Sequence, residues 1–304
     1  MPQDYSFLVD GEQCAGLFFK AQGFEAQGFE AQPDTNTAPC IVMAHGLAAI
    51  KEMRLPAYAA RFAAAGWHVL VFDYRCFGAS EGKPRQWLDI PRQHQDWHAA
   101  IDAVKQDPRV DSQRIALWGT SLSGGHVIHV ASERSDIAAI VSQVPHMDGR
   151  ASGDEVDFKV LARLLLRAVA DKIKSLFGGE PVYIQSSGEP GELAIMTAEG
   201  ESEGYLRLVP EGMTFDRRLS ARFLLQVLNY SPAKSLPDVS APNLIQVGLE
   251  DKTTPPEPAI EAAKSNAKTE LICYQTGHFQ PYIEPLFDTV VSDQIAFLKR
   301  VLND

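Results

Sequence analysis

The stretch "RIALWGTSLSGGHVIHVAS", Arg114 to Ser132, decides how the rest of the chain is read. "RIALW" is a short apolar run of strand type. "GTSLSGG" is a cluster of small residues that permits a sharp turn, and "HVIHVAS" continues at helical spacing. A strand that turns abruptly into a helix is the repeating joint of an α/β sheet. Ligands bind such sheets beyond the carboxyl ends of the strands. This joint also holds two serines, Ser121 and Ser123, one residue apart.

Outward from that joint the same alternation recurs. "SFLV", "GLFF", "CIVMA", "HVLVF", "IAAIVSQV", "NLIQVG" and "LICYQ" are further apolar runs bounded by breakers. "MRLPAYAARFAAAG", "IPRQHQDWHAAIDAVKQ", "PAIEAAKSNA" and "EPLFDTVVSDQIAFLKRVL" lie between or after them with helical periodicity. The last carries Phe287, Val291, Ile295, Leu298 and Leu302 on one face. Alternating strands and helices predict an α/β fold, a mostly parallel eight-stranded sheet with helices on both faces. The first two runs are too close together for an intervening helix and predict an antiparallel hairpin.

One interval breaks the rhythm. Between "IAAIVSQV" and "NLIQVG" lies a long insertion, which predicts a helical cap over 148–240 within a core formed by 1–147 and 241–304. "SGDEVDFKVLARLLLRAVADKIKSLFGG" predicts a helix, with Ser152 and Glu155 in capping-box spacing and Gly178 and Gly179 at its end. Val156, Val160, Leu164, Val169, Ile173 and Leu176 are expected broadly on one face. "RRLSARFLLQVLNY" predicts a second helix. The pentapeptide "AQGFE" occurs twice in tandem at Ala21 to Glu30, too short a repeat for a repeat architecture.

The 304 residues carry a formal charge of −11 and are 45% hydrophobic, enough for a large core. The acidic balance argues against nucleic acid or an anionic membrane as the main partner. "MPQDYSFLVDGEQ" lacks the basic and apolar regions of a secretory signal. No run of about 18 apolar residues predicts a membrane span. Cys14, Cys40, Cys76 and Cys273 are scattered and fit neither a zinc site nor a disulfide framework. Buried free thiols and a cytoplasmic location are expected.

Nucleophilic acyl transfer by serine needs an exposed hydroxyl, a base, an acid to hold the base, and backbone donors for the oxyanion. Small neighbours flank either serine of the turn, so size does not choose between Ser121 and Ser123. Distance from the strand end favours Ser121, which leaves Gly124 and Gly125 in the first helical turn. "GLEDKTTPP" and "TGHF" follow the last two apolar runs and place Asp251 and His278 on the same rim of the sheet. Glu250 is an alternative acid; Asp251, three residues before "TPP", fits better. "VMAHGLAA" offers Gly46 for a backbone turn and the Leu47 N–H as one oxyanion donor, with His45 supporting the loop. The Leu122 N–H would be the second.

"AHGL", "DYRCFGASEG", "GTSLSGG", "GLEDKTTPP" and "TGHF" together resemble the α/β-hydrolase superfamily over essentially the whole chain. "HGLAAIKEMRL", "VPHMDGR" and "GELAIM" further resemble a branch of bacterial esterase-like hydrolases and fungal polyketide transferases. The resemblance implies Ser121 as nucleophile, Asp251 and His278 as its partners in the expected chain order, and Leu47 and Leu122 as oxyanion donors. Two positions depart from the common pattern. Ser123 replaces the second glycine of the turn, and Cys76 replaces the glycine of "DYRGFG"; a small core residue is the expected role of Cys76.

His146 and Asp148, where the sheet leads into the insertion, are candidate pocket residues. His94 and His98 are four apart on a helix but lack the adjacent glutamate and a third ligand, so no metal is expected. His126 and His129 are expected to pack or lie at the surface. No nucleotide-binding glycine pattern follows a strand, and no cofactor is expected. The reading is a serine hydrolase of carboxylic esters or thioesters acting on small-molecule acyl substrates. Acyl transfer to an alcohol or amine and noncatalytic ligand binding are the alternatives. The natural acyl group, the acceptor and a homo-oligomeric state are left open.

Overall fold

The computed structural model describes residues 1–22, 37–154 and 157–302. Strands β1 (Gln3–Val9) and β2 (Glu12–Phe19) form the expected antiparallel hairpin. Then follow β3 (Ala38–Ala44), α1 (Leu55–Ala64), β4 (His68–Phe72), α2 (Ile90–Lys105), β5 (Val110–Thr120), α3 (Leu122–Ser132) and β6 (Ala139–Gln143). The insertion contributes α4 (Gly149–Asp154), α5 (Phe158–Leu176), β7 (Tyr183–Ser187), β8 (Ala194–Met196), α6 (Glu201–Leu206), β9 (Arg218–Ser220) and α7 (Leu224–Val227). The chain closes with β10 (Asn243–Gly248), α8 (Glu257–Ala263), β11 (Thr269–Tyr274) and α9 (Leu286–Leu302).

Among the described residues the main sheet has eight strands in the order β1-β2-β4-β3-β5-β6-β10-β11, and of these only β2 runs antiparallel to its neighbours. Every apolar run expected to be a strand is one of these eight. Strand β3 shows why both faces are covered. Its residues are all buried; Cys40, Val42 and Ala44 pack with Trp97 of α2 and Val127 of α3. Ile41 and Met43 point the other way, to Tyr58 and Phe62 of α1 and Val291 of α9. Among the described residues no helix is long and apolar enough to cross a membrane.

The insertion departs from the expected all-helical segment. It also holds a three-stranded sheet, β8-β7-β9. Part of "RRLSARFLLQVLNY" is strand β9, paired antiparallel with β7, and only Leu224–Val227 is α-helical. Tertiary pairing overrides the helical periodicity there. The long helix starts later than expected, because Asp157 accepts from the Lys159 and Val160 backbone N–H groups and caps it. Glu155 and Val156 lie outside the described residues, as does the "AQGFE" duplication beyond Ala21 and Gln22. Its apolar residues also divide. Val160 and Leu164 are buried, whereas Val169, Ile173 and Leu176 are exposed. The five-residue step from Leu164 to Val169 rotates the stripe by about 140° at 3.6 residues per turn.

Histidines join the insertion to the core. The Tyr230 hydroxyl bonds His126 Nδ1 of α3 at 2.8 Å and His94 Nε2 of α2 at 3.1 Å, and its ring stacks on His146. Burial holds His94 down to about 3 and His146 down to about 4, and His126 well below its ordinary value. In the unfolded chain these rings protonate near 6.5. The unfolded state therefore binds more protons from about pH 6.5 down to about 4, and stability falls as the pH drops through that window. The shift of His146 alone corresponds to about 3 kcal/mol. Urea midpoints measured across this window are expected to fall steeply, and His146→Gln is expected to flatten the fall. An unchanged slope in the variant would contradict this account.

Candidate active site

Ser121 sits at the junction of β5 and α3 with φ 56° and ψ −124°. That is the left-handed side of backbone space, uncommon for a residue with a Cβ and held only where the surroundings over-determine it. Here they do. The Ser121 N–H donates to the Gln143 carbonyl at 3.0 Å, and its carbonyl accepts from the His146 N–H at 2.9 Å. Gly119 makes the turn possible, since a Cβ there would lie 2.2 Å from the Ser123 carbonyl oxygen. Gly46 is required by contact too: its Cβ would lie 2.8 Å from that of Ser121.

The turn gives the two serines different surroundings. His278 Nε2 lies 3.1 Å from Ser121 Oγ, and His278 Nδ1 donates to Asp251 Oδ2 at 2.7 Å. Ser123 is fully buried, with its hydroxyl 2.7 Å from the Tyr74 hydroxyl, which also accepts from Trp97 Nε1 at 2.8 Å. Ser123 thus ties α3 to the core below the turn. The alternative acid, Glu250, is exposed.

Thr254 was not singled out from the sequence, yet it meets both Asp251 and His278. Its N–H donates to Asp251 Oδ1 at 2.8 Å. Its hydroxyl lies 2.9 Å from Asp251 Oδ2, 3.0 Å from the Val144 carbonyl and 3.1 Å from His278 Nδ1. An Asp followed three residues later by Thr is a local side-chain-to-backbone turn pattern, a signal present in "DKTT".

Leu47 and Leu122 flank Ser121 on the wall of one cavity. Leu122 is the first residue of α3, so its N–H has no carbonyl four residues back within the helix. The Leu47 carbonyl accepts from the Tyr205 hydroxyl at 2.9 Å, which ties this loop to α6. The cavity encloses about 840 Å³ including its open mouth. Leu161, Leu164, Met196, Phe223 and Leu224 from the insertion make its walls apolar, and His146 lines it as well. Asp148 does not line it; it accepts from the Ser231 hydroxyl at 2.7 Å and the Arg150 N–H at 2.9 Å, at the start of α4. A second, smaller compartment of about 360 Å³, its open mouth included, touches Ser121 from the other side, lined by His278, Tyr205, Phe279 and Tyr282.

The remaining candidates have other surroundings. His45 is buried and its Nδ1 donates to the Gly46 carbonyl at 3.0 Å. Cys76 is buried in the core with φ 74°, a conformation that usually falls to glycine. His98 pairs with Glu133 at the surface, and His129 is half-buried beside Ser235. All four cysteines are free; Cys14, Cys40 and Cys76 are buried, but Cys273 is exposed, unlike the expectation for it.

The family described as "Serine aminopeptidase, S33" matches residues 35–285. The chain belongs to this family. Within reach of it, the Quorum-quenching protein AidA of Acinetobacter baumannii (strain MDR-ZJ06) is 39% identical over 302 residues, 99% of this chain and 95% of that protein. Polyketide transferase ATR5 of Stachybotrys chlorohalonatus is 27% identical over 279 residues, covering 89% of this chain and 92% of that one. The crystal structure of the alpha/beta hydrolase GrgF from Penicillium sp. sh18 superposes with a TM-score of 0.82 over 100% of both chains at 24% identity. The family and this likeness make the fold an α/β-hydrolase fold, with relatives among hydrolases and fungal polyketide transferases.

Proposed function

We propose that the protein is a serine esterase or thioesterase that works through an acyl-enzyme on Ser121. The observation that carries this is the line from Ser121 Oγ through His278 to Asp251, opening on an apolar cavity. In this reading His278 Nε2 takes the Ser121 proton as Oγ attacks the acyl carbonyl. The N–H groups of Leu47 and Leu122 receive the oxyanion, each such donor contributing roughly 3–4 kcal/mol in the transition state. The protonated His278 then gives its proton to the departing oxygen or sulfur. Water, deprotonated by His278, releases the acid and restores Ser121. Asp251 holds His278 with Nδ1–H toward its carboxylate throughout. The steps draw on protein groups and water.

The segment 148–240 serves as the cap of this site, on a core of 1–147 and 241–304, and His146 is a wall of the acyl pocket. Small acyl esters or thioesters are the substrate class. Free thiols at all four cysteines fit a reducing compartment, and we assign the protein to the cytoplasm. A second reading, acyl transfer to a bound alcohol, is favoured by the apolar compartment beside His278, where an acceptor could displace water.

The test is labelling with a fluorophosphonate probe, mapping of the label, and turnover of nitrophenyl esters of rising chain length. Label on Ser121 with ester turnover is expected; neither label nor turnover would leave a ligand-binding protein on a hydrolase fold. Acyl product that rises with added alcohol while free acid falls would favour the transferase. Thr254 enters as a positioning residue. Thr254→Val keeps the shape and removes the hydroxyl, and is expected to lower kcat about tenfold with KM unchanged. Thr254→Ser should restore most of it, and equal losses in both variants would refute a role for the hydroxyl.

A further inference from the structure

Helix α5 carries an apolar stripe on the side opposite its buried face. Val160, Leu164, Ala168 and Asp171 pack inward. Phe158, Leu166, Val169, Ile173, Leu176 and Phe177 are exposed, with Leu166 at 72% and the two aromatics near its ends, Phe158 and Phe177, at 80% and 84%. Isolated exposed apolar side chains are ordinary, but a contiguous stripe along a helix marks an interaction surface. Its flanks are basic. At about 100° per residue, Lys159, Arg163, Arg167 and Lys174 fall along one edge of the stripe and Lys172 along the other, and all five are exposed. In a chain of net charge −11 this is a local reversal of sign.

We propose that the outer face of α5 docks the protein on an anionic lipid surface. An apolar face edged by Lys and Arg is the arrangement of a helix that lies in a membrane interface. The apolar side chains enter the acyl region and the cations reach the lipid phosphates. The face is convex, the outer side of a helix, so it suits a deformable plane. A second copy placed on the same face would set cations against cations, which disfavours a symmetric pair. The inner face of the same helix supplies Leu161 and Leu164 to the cavity that opens on Ser121. Docking would therefore hold that cavity within one helix diameter of the lipid, about 10–12 Å. The global charge argument against anionic membranes does not reach this face, because exposed charges separated by more than roughly 8 Å are screened at physiological salt.

The experiment is co-sedimentation of the full chain with vesicles of phosphatidylcholine, with and without phosphatidylglycerol, at low and high salt. Association with the anionic vesicles, weakened by salt, is expected. Leu166→Glu with Ile173→Glu should reduce it by at least about tenfold. Arg163→Gln with Arg167→Gln should reduce it without altering the stripe. The thermal midpoint of each variant checks that it is folded. Failure of the wild type to bind anionic vesicles, or binding untouched in both variants, overturns the proposal. A lipid-free dimer that Leu166→Glu dissociates assigns the stripe to a second copy and overturns it too.

Discussion

Ser121→Ala is expected to lower ester turnover by roughly 10⁶-fold, to the level left by substrate binding and oxyanion stabilisation alone. The size of the effect follows from geometry. Ser121 Oγ is the hydroxyl within reach of His278 Nε2, at 3.1 Å, and it lies on the wall of the apolar cavity. Ser123→Ala is the contrasting variant. The Ser123 hydroxyl is buried against Tyr74, so its loss removes one interior hydrogen bond and costs about 1–2 kcal/mol of stability while turnover stays near that of the wild type. The Tyr74 hydroxyl keeps its bond from Trp97, which limits the loss. Steady-state kcat on a nitrophenyl ester and thermal unfolding measure the two quantities. Turnover lost in Ser123→Ala and kept in Ser121→Ala would reverse the assignment.

Asp251→Asn is expected to reduce kcat by roughly 10⁴-fold with the fold retained. The carboxylate has two distinct oxygens here. Oδ1 accepts from the Thr254 N–H at 2.8 Å, and Oδ2 faces His278 Nδ1 at 2.7 Å. An asparagine must keep its single carbonyl oxygen on the Thr254 N–H, which only donates. Its amide NH₂ then points at His278 and donates to Nδ1. That forces the His278 proton onto Nε2, facing Ser121, where it cannot accept the serine proton. Measured kcat against pH, with KM followed in parallel, tests this. A loss confined to KM, or activity near that of the wild type, would remove Asp251 from the role.

The main sheet was legible because parallel strands covered on both faces read as unbroken apolar runs. "CIVMA" and "HVLVF" are completely buried in β3 and β4. The insertion was less legible. Helical periodicity in "RRLSARFLLQVLNY" yields to pairing of β9 with β7, a contact with a segment more than thirty residues away. In α5 the apolar residues were visible in sequence, but their split between inner and outer faces depends on where Asp157 caps the helix and on which arc the core accepts.

At the candidate site, residue types and order along the chain pointed to Ser121, Asp251 and His278, since each follows a strand and so shares one rim. By itself the sequence determined the strand–helix alternation, the glycines of the turn and this rim, because they depend on local size and hydrophobic period. Only the tertiary structure decided what surrounds each hydroxyl. It set Ser121 against His278 and Ser123 against Tyr74, and it brought the Thr254 hydroxyl between Asp251, His278 and Val144. Those are contacts between segments 24 to 157 residues apart for the bonds to His278. They are set by the order in which the strands lie side by side in the sheet, and no local pattern encodes that.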